Sequence, residues 1–438
     1  MDHNKIPVSI PLCYCSSSLL VPVDAMVVPL LAEGFGRGVT NIPHLARLTK
    51  IVLFVAVVYL LKRYFGGAKC TSERNMHGKV VMITGGTSGI GAQITKELAS
   101  RGAQIVLLTH HEASDPFLVD YIEDLRTQCN NELIYTEQVD LSSLHSIRLF
   151  ATKWVDNAPP RRLDTIILCA NVMTPKWGVS RATIDGVEEE WMVDYLSTYH
   201  LLSILSPAIR AQPPDRDVRI LFSTCSSYIG GTIDLSNTEV AAKSGSWAHS
   251  RAKLALMNFA YAFQKHLDAY ERPDKQPMNA RALIVDPGYS RTPGMRRWLT
   301  GGSLFGLALY LVTWPVWWLV LKSSEQGAQS FLLATMDPAY GHGGLGGKLI
   351  KECREIEPLR PETKNEDIAK TLWEFSAKQI ERLEKQGAVK RALAKKEEEA
   401  NVGSDVKSGG EKTVNETITV QSNKQQTAGS RKNRKQKG

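Results

Sequence analysis

The sequence has little that would hold a metal or staple a secreted domain. Its seven cysteines in 438 residues show no zinc-ligand spacing, and Cys13 and Cys15 stand too close for an ordinary disulfide. No metal is expected, and a reducing, cytosol-facing environment fits this cysteine usage. The Asn415 sequon then stays unmodified, because glycosylation needs a lumenal face. Basic charge is also poorly placed for nucleic acid. Much of the net +8 sits in tails such as RKNRKQKG, a solvated terminus suited to touching anionic lipid, so no nucleic-acid partner is expected.

The first long apolar run is short for a membrane span. IVLFVAVVYLL, Ile51 to Leu61, makes roughly 16 Å of helix at the α-helical rise, against about 30 Å of hydrocarbon. Lys50 and the pair Lys62–Arg63 flank it and can snorkel, with Tyr64 and Phe65 beyond. Residues 44–68 are therefore expected to be a membrane anchor, with an ordinary buried helix as the alternative. The run lies too far from Met1 for a simple cleaved signal peptide. Residues 1–43 carry several prolines and no steady period, and Met26 heads a shorter plausible start.

What is present is alternation. KVVMITGG, AQIVLLTH, LIYTEQVDL, LDTIILCAN, VRILFSTCSS and ARALIVDPG are short apolar runs of the buried-strand type, separated by stretches with helical spacing. Such alternation predicts an α/β domain with a doubly wound parallel sheet, a Rossmann fold, over residues 76–351. Residues 366–397 read as one amphipathic helix with Ile368, Leu372, Phe375, Ile380 and Leu383 on one face, packing on the core or on a partner. Residues 398–438 are too polar to bury anything and are expected to be a disordered basic tail.

TGGTSGIG, Thr84 to Gly91, ends the first strand and opens the first helix. Gly85 permits a tight turn, Gly89 lets the backbone approach a pyrophosphate, and Gly91 lets helix and strand pack closely. The phosphate would lie on the helix N-terminus, among the N–H groups of Thr87, Ser88, Ile90 and their neighbours.

This segment resembles the TGxxxGIG turn of the short-chain dehydrogenase/reductase family, and most nearly that of its retinol-dehydrogenase-like members, including fungal oxidoreductases of membranes and lipid droplets. Further stretches agree in order between Met76 and Lys348. VDLSSLHSIRLFA implies that Asp140 holds the adenine amino group and Leu141 lines its pocket. ILCANVM implies Ala170 and Asn171 beside the ribose, and DPGYSRT implies Pro287, Gly288 and Thr292 at the nicotinamide. After the second strand come Thr109, His110 and His111, with no acid before Glu112. A carboxylate there would repel a 2′-phosphate, and His110 resembles a position often held by arginine in NADP-using relatives, so the expected cofactor is NADP(H) in preference to NAD(H).

The resemblance implies a proton-passing tyrosine, a lysine that binds ribose and lowers that tyrosine's pKa, a serine on the substrate oxygen and an asparagine behind a water relay. Lys253 is present. The tyrosine position holds His249 and the asparagine position Asp194; ungapped alignment from Arg219 sets Cys225 at the serine position, but a thiol donates weakly, so Ser226, brought in by a shift of one residue, is the expected serine, with Cys225 as the register alternative. Imidazole is a far weaker acid than a phenol beside an ammonium, yet histidine is a competent general acid or base where geometry permits.

From Thr300 to Leu321 no charge occurs, and Trp314, Trp317 and Trp318 surround Pro315. A single span would strand the helix SSEQGAQSFLLATMD on the wrong side of the bilayer from its sheet. Residues 300–321 are therefore expected to dip into one leaflet and return, turned by Pro315, with an apolar lid or homodimer face as the alternative. Together these features predict a membrane-associated oxidoreductase acting on a lipophilic carbonyl or alcohol, at the cytosolic face of the endoplasmic reticulum or on a lipid droplet. The rival from another class is a nucleotide-binding sensor or scaffold that keeps the cofactor motifs and has lost catalysis.

Overall fold

The computed structural model describes residues 43–176, 178, 180–235, 245–341, 343–344 and 346–397. The expected irregular segment (save Pro43) and the expected polar tail lie outside the described residues. The chain divides into two compact units, Met1–Tyr64 and Phe65–Gly438.

In the first unit the apolar run forms the body of a helix, Pro43–Gly66, that ends just beyond the unit boundary. Ile51, Val52, Leu53 and Phe54 are all exposed on it. Among the described residues no helix is long and apolar enough to cross a membrane.

The second unit is built on one eight-stranded sheet. Its strands are β1 (Val80–Thr84), β2 (Gln104–Thr109), β3 (Ile134–Gln138), β4 (Thr165–Leu168), β5 (Val218–Ser223), β6 (Ala280–Asp286), β7 (Lys348–Lys351) and β8 (Arg354–Ile356). They lie in the order β3-β2-β1-β4-β5-β6-β7-β8. All neighbours are parallel except β7 and β8, which form an antiparallel pair at one edge. The order reverses between β1 and β4, and at such a switch point the strand C-termini open a crevice. Every residue of β1, β4 and β5 is buried, as strands covered by helices on both faces must be. One face packs Met82, Ile166 and Ile220 against helices Leu144–Val155, Ser197–Arg210 and Gly245–Asp268. The other packs Val81, Ile83, Ile167 and Leu221 against helices Gly89–Ser100 and Ser324–Met336.

Residues 366–397 are helical and lie on the first of these faces. Leu372, Ile380 and Leu383 join the same core cluster as the sheet. Hydrophobic burial against this core takes up Leu372, Ile380 and Leu383 on the helix's apolar side.

The uncharged stretch 300–321 folds as two short helices, Leu304–Val312 and Trp314–Val320. The break falls at Thr313, whose hydroxyl accepts from Trp317 Nε1 at 2.7 Å. Pro315 sits in the first turn of the second helix, where its missing N–H costs nothing, so it starts a helix rather than interrupting one. Chain entry and exit meet: Ser290 and Lys322 form a parallel bridge, with Arg291 N–H donating to the Lys322 carbonyl at 2.8 Å. Leu304, Phe305 and Val312 are 86%, 81% and 79% exposed.

Candidate active site

The glycine turn follows β1 at the switch point. Gly85 and Gly89 have φ of +68° and +58°, a region that favours glycine. A Cβ on Gly91 would stand 2.2 Å from the Gly85 carbonyl oxygen, so the turn folds onto its own helix. Ser88, at the N-cap of helix Gly89–Ser100, makes no side-chain cap. The first-turn N–H groups are thereby left to a ligand, and the turn fits a dinucleotide diphosphate. A Cβ on Gly89 would lie 3.3 Å from Thr292 Cγ2, which brings the loop after β6 against the turn. In that loop Gly288 has φ of +73° and donates its N–H to Asp286 Oδ1 at 2.8 Å, beside buried Pro287.

The other expected cofactor residues stand along the same edge. Ala170 N–H donates to Thr84 Oγ1 at 3.1 Å, placing Ala170 and exposed Asn171 next to the turn. Asp140 follows β3 and accepts from the Ser142 N–H and hydroxyl through Oδ1, at 2.8 and 2.7 Å; Leu141 beside it packs on the core. At the end of β2, His110 is exposed and lies against His111, whose Nδ1 meets Asp115 Oδ2 at 2.7 Å. That carboxylate, three residues past Glu112, is already engaged.

The positions expected to be catalytic form a chain of contacts. Asp194 lies in a π-helical turn, Met192–Leu196, a local widening common at functional sites. Its Oδ1 accepts the Val172 N–H at 2.8 Å. Its Oδ2 meets His249 Nδ1 at 3.0 Å and Lys253 Nζ at 3.7 Å. On the other side of the ring, His249 Nε2 faces Cys225 Sγ at 3.4 Å. The same sulfur lies 2.8 Å from Ser227 Oγ. Lys253 Nζ also donates to the Ser223 carbonyl at 3.3 Å. Asp194, His249 and Lys253 are 2%, 4% and 2% exposed, whereas Cys225 is partly exposed.

Burial opposes charge on both members of the Cys225–His249 pair, and their neighbours outweigh it. Burial pulls the imidazole down, but the facing sulfur and Asp194 raise it to about 9. Burial pushes the thiol up, but His249, Lys253 and Ser227 together bring it below its ordinary value.

Ser226, the residue expected at the serine position, turns away from His249. Its hydroxyl donates to Asp286 Oδ2 at 2.9 Å and accepts from Lys351 Nζ at 2.7 Å. Cys225 is the residue that faces His249. Sequence reasoning missed Ser227 and the Cys225–His249–Asp194 continuity, because partners 24 and 55 residues apart leave no local signal.

A family model described as short chain dehydrogenase matches residues 79–221. An uncharacterized oxidoreductase of Schizosaccharomyces pombe is 46% identical over 79% of this chain and 93% of its own length. The chain belongs to the short-chain dehydrogenase family. Another uncharacterized oxidoreductase, from Saccharomyces cerevisiae, is 34% identical over 84% of this chain and 95% of its own. Human retinol dehydrogenase 13 is 29% identical over 77% and 95%. Among solved structures, an uncharacterized protein from Mycobacterium paratuberculosis shares the fold, with a TM-score of 0.52 and 21% identity over 72% of this chain and 98% of that one. This short-chain dehydrogenase thus sits among oxidoreductases, in a family that generally binds NAD(P)(H).

Proposed function

We propose that this protein is an NADP(H)-dependent oxidoreductase attached to a lipid surface, acting on a lipophilic carbonyl or alcohol. The observation that carries this reading is the apolar helical hairpin, rooted at Ser290 and Lys322 in the loop that touches the glycine turn. A substrate leaving lipid would enter beside the nicotinamide loop. Relatives named retinol dehydrogenase and polyprenol dehydrogenase support a lipophilic alcohol or carbonyl as the substrate class.

When bound, the cofactor supplies the hydride donor or acceptor. The chain's residues do the rest. The turn Gly85–Thr87–Ser88–Gly89–Ile90–Gly91 holds the diphosphate, and His110 stands where a 2′-phosphate would lie. Asp140 and Leu141 take the adenine, Ala170, Asn171 and Lys253 the ribose, and Pro287, Gly288 and Thr292 border the nicotinamide. His249 exchanges the proton at the substrate oxygen through Nε2, while Asp194 holds Nδ1 and so fixes which nitrogen faces the substrate. Attachment through Ile51–Leu61 and residues 300–321 suits the cytosolic face of the endoplasmic reticulum or a lipid droplet.

The sensor or scaffold reading is favoured by one observation, the histidine in the tyrosine position. Calorimetry on the full chain in detergent, followed by turnover over lipophilic aldehydes, ketones and sterols, separates the two. NADPH binding at least tenfold tighter than NADH, with turnover, is expected. Binding without turnover, with activity appearing in His249→Tyr, points to the sensor; no binding of either nucleotide overturns both.

A further inference from the structure

Cys225 is set up as a nucleophile. A thiol is a weak hydrogen-bond donor, so it is a poor replacement for a serine that polarises a carbonyl. A thiolate beside a histidine is instead a strong nucleophile. Three observations place it so. Its sulfur faces His249 Nε2 at 3.4 Å, and the opposite ring nitrogen is held by Asp194 at 3.0 Å. The Ser227 hydroxyl lies 2.8 Å from the sulfur, where it can donate to a thiolate. Of the four residues Asp194, Cys225, His249 and Lys253, only Cys225 is partly exposed as a residue. Nucleophile, base and orienting carboxylate follow one another as in other activated-nucleophile sites.

We propose that Cys225 adds covalently to an aldehyde, which the protein holds as a hemithioacetal. This deepens the oxidoreductase reading and rests on it, since it takes the substrate carbonyl to lie at the serine position. The step is redox-neutral. A sulfur lone pair forms the C–S bond, the carbonyl π pair moves to oxygen, and that oxygen takes the proton from His249 Nε2. No group leaves, and reversal returns the aldehyde. Transfer of the thiol proton to His249 leaves the net charge of the buried cluster with Asp194 and Lys253 unchanged, so forming the nucleophile buries no additional net charge. An aldehyde is chosen over a ketone because its carbonyl carbon is more electrophilic and its hydrogen hinders the approaching sulfur less than a second alkyl group would.

The test uses the full chain in detergent without nucleotide. First, alkylation by iodoacetamide at pH 6 is mapped to each cysteine by peptide mass spectrometry. An unperturbed thiol of pKa about 8.5 is less than about 1% thiolate there. Cys225 is expected to react at least tenfold faster than Cys169 or Cys353, which burial pushes to about 11, and His249→Gln should remove the advantage. Second, decanal labelled with carbon-13 at C1 is followed by NMR. An adduct signal distinct from free aldehyde and hydrate is expected in the wild type, absent in Cys225→Ala and Cys225→Ser, and absent with 2-decanone. Cys225 reacting no faster than the other two, or no adduct on a folded protein, overturns the proposal. A decanoyl thioester leaving a stable acyl group on Cys225 while decanal gives no signal overturns it in favour of acyl transfer. NADPH calorimetry on the same samples keeps the parent reading separate. Loss of nucleotide binding sinks the oxidoreductase, and binding without an adduct sinks only the hemithioacetal.

Discussion

At the scale of single residues, the glycine turn and a buried carboxyl carry separate, checkable consequences. A methyl on Gly91 would meet the Gly85 carbonyl oxygen at 2.2 Å, a backbone atom that cannot move without reshaping the phosphate cradle. Gly91→Ala should therefore weaken NADPH binding at least tenfold by calorimetry, and cost about 1–3 kcal/mol by overpacking. Glu190 is fully buried, accepting the Thr174 N–H at 3.1 Å and the Ser180 hydroxyl. Burial first, then Asp194 and Glu188, raise its pKa to about 7. Because the folded value lies above the ordinary 4.5, the folded state holds this proton more tightly. The resulting stability is full below pH ~4.5 and is lost as pH rises to ~7. Glu190→Gln should flatten urea-unfolding stability across this window and raise it at pH 8 by on the order of 2–3 kcal/mol. An unchanged pH slope in the variant would remove Glu190 as the cause.

Six strands were legible, five as largely apolar runs and β3 from its place in the alternation, since IYTEQ is half polar and only Ile134 is buried; single contacts were not. That Asp194 would meet both His249 and Lys253 depends on a π turn that no residue pattern announces. Hydrogen-bond chemistry favoured Ser226 over Cys225 for the serine position, since a hydroxyl donates better than a thiol, but both follow β5 and chemistry does not set the direction of a side chain. Only the direction of the chain after Thr224 sends one side chain to His249 and the other to Asp286.

At the scale of elements, β7 and β8 escaped the sequence because Lys348–Lys351 puts two buried apolar residues between two lysines, after a glycine-rich stretch. Parallel pairing to β6, not hydrophobic pattern, makes it a strand. The hairpin 304–320 has the opposite character, an obvious apolar run whose shape was not obvious. Its apolar side chains remain exposed although its two ends are tied together at Ser290 and Lys322. Contiguous exposure of this kind marks an interaction surface, and its crowded tryptophans suit a membrane interface. Leu304, Phe305 and Val312 would each contribute roughly 1.5–3 kcal/mol if fully inserted in lipid. The triple change Leu304→Ser, Phe305→Ser, Val312→Ser should weaken vesicle co-flotation at least tenfold while moving the melting temperature little, because exposed sites rarely alter stability by more than about 0.5 kcal/mol. Unchanged flotation with an altered sedimentation coefficient would assign the surface to a second copy of the chain.

At the scale of the whole molecule, the π turn that carries Asp194 is braced from far along the chain. The helix of residues 366–397 lies against the turn that carries Asp194. Tyr195 hydroxyl meets Ser376 Oγ at 2.7 Å, and Trp191 Nε1 donates to Gln379 Oε1 at 3.2 Å. Leu372 and Leu383 are buried in the cluster that also holds Trp191, Tyr195 and the sheet, so this helix completes the core beside the turn that carries Asp194. Support of the core and positioning of the turn separate by variant. Leu383→Ala should cost about 2–5 kcal/mol of stability without a change in the chemistry at Cys225. Ser376→Ala deprives a buried phenol of its partner, at about 1–3 kcal/mol, next to Asp194 itself. If the brace sets the position of Asp194, then at temperatures where both variants remain folded only Ser376→Ala should move the pH midpoint of Cys225 alkylation upward, toward that of an ordinary thiol. Equal midpoints in the two variants, with the expected losses of stability, would mean that the helix supports the core and that the π turn holds Asp194 unaided.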